Sequence, residues 1–379
     1  ERRRSAGENR RRAFCVGGRD GLKGRTFFVL LTALVGALVI GAIFILLAKS
    51  DPIRAYQVML TGPFSSSFGI TETLVRTTPL LLTGLGIIIS FRCGVLNIGG
   101  EGQILVGAIA SAGVALAFPN LPGLLLFPLV LISGGLAGGI WGAIAGVLKA
   151  RLNVNEILST VMLNQIAAQL YLLLIRGVLI DPQEVAYGTG VPQTALVPDV
   201  VWLTRLIPGA RLNTGFILAI VLAILVYYLL MHTTIGCRLR AVGAGPAAAQ
   251  YAGINVPFYM ALSMFLAGGL AGLAGTVEVL GVHHRALEDI SAGYGFSAIV
   301  AALFGRLHPI GIIPASILFG SLILGADMMQ RAVSIPAAIV MVIQGFVILF
   351  VVASDVFIRR PELLSEWKAK WGRRSGEVS

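Results

Sequence analysis

Residues 94–103 read GVLNIGGEGQ and run straight into ILVGAIASAG. An amide, Asn97, and a carboxylate, Glu101, thus stand between two long apolar runs. Lipid tolerates such groups badly: a charge near the centre of a spanning helix costs roughly 2.5–3.5 kcal/mol on insertion scales. Asn97 and Glu101 lie four residues apart and share a face if the segment is helical. Four glycines in these ten residues oppose a regular helix throughout. Two readings are open. The segment is backbone lining a cavity inside protein at membrane depth, or it is a polar loop capping the next helix in headgroup water.

Composition settles the class. Hydrophobic residues make up 56% of the chain and charged residues 12%, with a mean hydropathy of +0.87. An ordinary soluble domain carries about 25% charge. Ten apolar runs are candidates for the roughly 20-residue helices that cross a bilayer. They are 26–48, 74–91 (containing Pro79), 104–118, 124–148, 156–175, 216–231, 258–280, 294–303, 310–326 and 337–353. The eighth is too short to cross unaided and reads as a half-membrane segment. The expected fold is therefore an all-α polytopic membrane protein of about ten transmembrane helices with broken segments. Its membrane domain spans 26–355, between a basic arm at 1–25 and a basic tail at 356–379. The fourth and seventh runs carry GGLAGGIWGAIAG and AGGLAGLAGT, small-residue faces that let helices approach closely.

The net charge of +11 is distributed as a topology signal. Nine of the 29 Lys and Arg residues precede the first run, and six lie between Arg359 and Arg374. With both termini inside, the cytoplasmic segments hold 21 of these cations and the outer side eight. Such flanks also rest on anionic membrane lipid. No basic stripe with interleaved aromatics accompanies them, so no nucleic-acid partner is expected. The opening ERRRSAGENRRR lacks the apolar core of a signal peptide and reads as a disordered cytoplasmic arm. Cys15, Cys93 and Cys237 all map to the reducing side, which argues against a disulfide framework.

Two loops stand out for length. The outer loop, 177–213, holds prolines 182, 192, 198 and 208 beside Trp202, Leu203 and Leu206. It is expected to lie on the membrane surface or against a partner. The inner loop, 232–256, contains Arg238, Arg240, Gly243, Pro246, Tyr251 and Gly253. Pro246 suits a first helical position and Gly253 a C-terminal stop, so the loop is read as a short cytoplasmic helix preceded by two arginines. Its length suits a partner-docking element.

Little else carries chemistry. No G-x-x-x-x-G-K-[ST] element is present, so the chain has no phosphate-cradling loop of its own. His283, His284, Glu288 and Asp289 have no zinc spacing and are read as a solvated outer loop, with no metal expected. No nucleophile–base arrangement points to an enzyme. Glu278, near the outer end of the seventh run, and Arg76 are the other ionisable groups near membrane depth. Asn164, Gln165 and Gln169 in the fifth run read either as interhelical hydrogen bonds or as amides for a polar, uncharged solute. Phe296 and Tyr294 are open to stacking on a base or to core packing.

The stretches FRCGVLNIGGEGQILVGA, NEILSTVMLNQIA, TTIGCRLRAVGAGPAAAQYAGINV and GFSAIVAALFGRLHPIGIIPASILFG together resemble the permease subunit of bacterial ATP-binding-cassette importers. They are most similar to the nucleoside and simple-sugar branch of the branched-chain-amino-acid-type permeases. The basic arm and the RLHP turn at Arg306–Pro309 depart from that pattern. The resemblance implies an inner-membrane subunit that binds no cofactor. ATP and Mg would sit on separate ATPase subunits, beside a second, non-identical permease and an external substrate-binding protein or lipoprotein. It implies that Arg238, Arg240, Gly243, Pro246, Tyr251 and Gly253 belong to the ATPase-coupling helix. Asn97, Glu101, Gln103, Asn164, Glu278 and Phe296 would line or gate the path of a nucleoside or simple sugar. The alternative is a stand-alone ion-coupled secondary transporter, a class that also uses broken helices.

Overall fold

The computed structural model of the chain describes residues 36, 39–47, 49–188, 192–334, 342, 345 and 346. The basic arm, the tail, most of the tenth run and much of the first lie outside these residues. The contacts divide the chain into two units. One comprises residues 1–57 and 329–379; in it, residues 39–47 are helical, Phe44 stacks on Phe346 with ring centroids 6.0 Å apart, and the Ser50 hydroxyl donates to the Val333 carbonyl. The other, residues 58–328, holds the helix bundle.

The helices are α1 (Pro52–Thr61), α2 (Ser67–Arg92), α3 (Gly100–Ala117), α4 (Gly123–Leu152), α5 (Glu156–Arg176) and α6 (Pro182–Tyr187). They continue as α7 (Gly215–His232), α8 (Thr234–Ala244), α9 (Pro246–Tyr251), α10 (Val256–Glu278), α11 (Tyr294–Phe304) and α12 (Ile312–Val333). Among the described residues seven helices are long and apolar enough to cross a membrane: α2, α3, α4, α5, α7, α10 with its π-helical extension Val279–His283, and α12. They coincide with seven of the ten runs. α11, at 11 residues, is the short segment expected there. No strand occurs among the described residues, only isolated bridges in the outer loops.

α2 begins seven residues before the apolar run that announced it. Ser66 caps it by accepting from the Gly69 N–H, and the hydroxyls of Thr71, Thr73, Thr77 and Thr78 donate back to carbonyls one turn earlier. A stretch poor in hydropathy is helical because its polar groups are satisfied within the helix. α10 is the central element and packs on α2, α3 and α4. The two small-residue faces meet each other: a Cβ on Gly272 would lie 3.0 Å from the Cα of Gly138, and one on Gly146 would lie 2.9 Å from the Cα of Ala261. Backbone-to-backbone approach replaces the hydrophobic driving force that lipid cannot supply.

Both long loops carry more structure than was expected of them. The outer loop folds onto its own chain. Thr194, Val197 and Leu203 donate backbone N–H groups to the carbonyls of Ala286, His284 and Leu280. Trp202 stacks on His284 at 3.9 Å between centroids, and Arg176 pairs with Glu288 at 3.2 Å. The histidine-bearing segment is therefore not a freely solvated loop, since it shares backbone hydrogen bonds with 194–203. In the inner loop the two arginines are helical as well. Arg238 and Arg240 ride on α8, capped by the Thr233 hydroxyl, and α9 follows with Pro246 in its first turn. Gly253 stands just past α9 with φ +78°, the left-handed stop that glycine accommodates at no steric cost.

Candidate functional site

Between α2 and α3 the chain runs without helix from Cys93 to Gly99, and its polar groups are met by side chains. Asn97 and Gln103, each 1% exposed, exchange amide hydrogen bonds of 3.0 and 3.2 Å. The Asn97 oxygen also accepts from the Gly99 N–H. Asn164, on the inward face of α5, accepts from the Gly102 N–H and donates to the Ile98 carbonyl, both at 2.9 Å. Irregular backbone at membrane depth is stable only where protein supplies such partners. The depth follows from α2. A Cβ on Gly100 would lie 3.0 Å from a Thr83 methyl, and Thr83 stands nine residues, about 14 Å, before the end of α2.

Glu101 sits in the first turn of α3 and reaches the start of α11. Its two oxygens accept from the N–H groups of Gly293 (3.1 Å) and Gly295 (2.7 Å). The helices abut so closely that a Cβ on Gly295 would lie 2.6 Å from the Glu101 Cα. One carboxylate thus answers the partial positive charge of two helix N-termini. The ten residues that opened the sequence reading make a non-helical approach through Gly99, then a helix from Gly100 that begins inside the protein.

Toward the Ser67 end of α2 lies a set of charges that the sequence reading had noticed only in part. Glu72 pairs with Arg211 and Arg76 with Asp327, both at 2.6 Å. Glu278, 3% exposed, lies 3.6 Å from the His283 ring nitrogen. Tyr294 is buried beside them at the start of α11, so it is a packing residue. Glu72, Arg211 and Asp327 were not singled out from the sequence. The available signal was Glu72 four residues before Arg76, an ion-pair spacing on one helical face. Phe296 is not brought to this cluster; it is 48% exposed on the opposite side of α11 from the buried Gly295 and Ala298.

The inner residues divide in two. Arg238 donates to the Tyr259 hydroxyl at 3.0 Å, and a Cβ on Gly243 would lie 2.9 Å from the backbone of Arg92 and Cys93. Arg240 is half-buried. Arg238 and Gly243 hold α8 to the ends of α10 and α2. Pro246, Gly253 and Tyr251 face outward, with Tyr251 95% exposed. Among the described residues no three acidic, histidine or cysteine side chains are grouped to hold a metal ion.

Residues 69–352 match the family model described as "Branched-chain amino acid transport system / permease component". The chain is 36% identical over 325 residues to the guanosine ABC transporter permease protein NupP of Bacillus subtilis, covering 86% of this chain and 92% of the relative. It is 35% identical over 336 residues to the glucose ABC transporter permease protein TsgB13 of Haloferax volcanii, covering 86% and 87%. It is also 35% identical over 335 residues to NupB, which with NupC is a matching nucleoside ABC transporter permease protein of Lactococcus lactis; NupB is covered to 91% and this chain to 87%. With seven apolar helices and a family match across most of its length, the chain is a multi-pass inner-membrane protein that belongs to the branched-chain amino acid transport permease family.

Proposed function

We propose that this chain is the subunit of an ATP-driven importer that forms the path for nucleosides, purine nucleosides first and simple sugars second. The observation that carries the reading is the similarity, over most of the chain, to permeases named for guanosine, nucleosides and glucose. The topology is ten spans with both termini inside, for which the distribution of Lys and Arg speaks. ATP and Mg belong to separate ATPase subunits, because this chain has no phosphate-cradling loop. A second, non-identical permease completes the path, and an external binding protein delivers the solute.

Within this scheme α9 is the element that seats in the ATPase, with Tyr251 as its anchor and Pro246 and Gly253 fixing its ends. Arg238, Arg240 and Gly243, on α8, transmit its displacement; Arg238 is bonded to the start of α10 and Gly243 lies against the end of α2. Glu101 is the hinge of the path, because α3 and α11 both start against its carboxylate. Asn97, Gln103 and Asn164 brace that hinge, while Glu278 and Phe296 belong to the outer half of the route.

The test is purification of the tagged chain from its native membrane in mild detergent, with identification of what accompanies it. A Walker-A ATPase and a second permease, with ATP-dependent uptake of guanosine after reconstitution, are the expected result. A chain that stays alone and moves solute under an ion gradient without ATP overturns the proposal in favour of a secondary transporter.

A further inference from the structure

α5 carries amides on both faces, and only one face is satisfied. Asn164 points inward and is bonded through both its oxygen and its nitrogen. Gln165 and Gln169 are exposed, lie one helical turn apart, and make no hydrogen bond within the described residues. Gln165 is the tenth of the 21 residues of α5, so it stands about 14 Å from the start of a helix that is itself long enough to span the bilayer. Lipid offers an amide neither donor nor acceptor there. The rest of that face, Met162, Ile166, Leu170 and Leu173, is exposed and apolar.

A shallow, open hollow runs along this one helix face, from Gln165 and Gln169 to Arg176. Arg176, its one cation, is paired with Glu288 at the rim, which leaves neutral amides as the hollow's free polar groups. A second open hollow, about 460 Å³ between α4, α7 and α10, is lined only by apolar residues and glycine, as in Ile132, Leu222 and Leu273. That one suits a lipid chain.

We infer that the outward face of α5 is a wall of the solute path, with Gln165 and Gln169 offering amide hydrogen bonds to an uncharged polar solute. The inference rests on the proposed importer and names the side of the chain where its cargo passes. An apolar, amide-dotted wall fits a molecule with both ring faces and hydrogen-bonding edges, and a paired cation gives no grip on an anion.

The test uses the whole complex in membrane vesicles. In a chain carrying Cys15→Ser, Cys93→Ala and Cys237→Ser, single cysteines are placed at Gln165, Gln169 and, as the lipid-facing control, Ile132. A charged, water-soluble thiol reagent is expected to react at 165 and 169 and not at 132, and guanosine or glucose is expected to slow the reaction. In parallel Gln165→Leu/Gln169→Leu is expected to raise the KM of uptake about tenfold, with the accompanying subunits and ATP hydrolysis retained. Absence of reaction at 165 and 169, while Cys237 of the parent chain reacts, overturns the inference. So does reaction that neither solute slows. Loss of the second permease from the double leucine variant, with the chain still inserted, overturns it too and makes the face a subunit contact. Failure of the unsubstituted complex to take up either solute with ATP counts instead against the proposed function, since the pattern of thiol reaction is read independently of uptake.

Discussion

Glu101 and Tyr251 belong to regions built on opposite terms. Around Glu101 every polar side chain of the connecting loop has its partner inside the chain: the carboxylate takes two backbone N–H groups, and Asn97, Gln103 and Asn164 answer one another and the loop. Around Tyr251 the chain commits nothing, and the ring stands almost wholly in solvent on a six-residue helix. A buried polar group left without a partner costs far more than a paired one contributes. The first region must therefore be complete before any partner arrives. On the proposed importer, the second stays open to receive another protein. Substitutions in the two regions should thus separate stability from activity, and the separation is what experiments can break.

The largest effect on stability is expected at Glu101. Glu101→Ala strips the Gly293 and Gly295 N–H groups of their acceptor at a helix start, a loss of about 2–4 kcal/mol. Transport should vanish, and the melting temperature of the detergent-solubilised chain should fall by several degrees. Glu101→Gln keeps one acceptor oxygen and should recover about half of that fall. A glutamine variant as unstable as the alanine one would mean that the charge, rather than the acceptor, holds α11 in place.

Asn164→Leu comes next. It keeps the volume on α5 but leaves the Gly102 N–H and the Ile98 carbonyl unpaired, at about 1–3 kcal/mol. The melting temperature reads the loss. Gln165→Leu, one residue along and on the other face, should leave the melting temperature unchanged. Equal melting temperatures for the two leucine variants would remove the distinction between the faces of α5. Smaller still is Glu72→Gln. It releases Arg211, whose side chain is 46% exposed, so the pair is partly screened and about 1 kcal/mol or less is at stake. Its effect should shrink further in high salt.

The sequence was legible where a signal is local. The small-residue runs in α4 and α10 pointed to close helix contact, and Pro246 and Gly253 bounded α9 to within a residue. It was illegible where satisfaction is long-range. Nothing near Asn164 says that its amide serves a loop more than 60 residues earlier. Nor does hydropathy reveal that the threonines of α2 carry their own acceptors, so the apolar run from Leu74 cut off Glu72, and with it the pair to Arg211. The fold of the outer loop was hidden for the same reason: its prolines mark turns, while its backbone hydrogen bonds to 280–288 are invisible from either segment alone.

The smallest effect on stability, and the sharpest contrast, is expected at Tyr251. Its side chain is 95% exposed, so Tyr251→Ala removes almost no buried area and should leave the melting temperature where it was. If α9 is the ATPase seat, the same substitution deletes an aromatic anchor from an interface, where truncations of this kind cost about 2 kcal/mol or more. Uptake and co-purification of the ATPase should then fall about tenfold or further, in a chain as stable and as abundant in the membrane as the parent. Gly243→Pro is a poorer probe of the same idea, because Gly243 lies against the backbone of Arg92 and Cys93 and its replacement disturbs packing as well as coupling. A Tyr251→Ala chain that transports normally would move the docking role away from α9. The exposed ring would then be a surface feature, and the division between a closed node and an open handle would lose its second half.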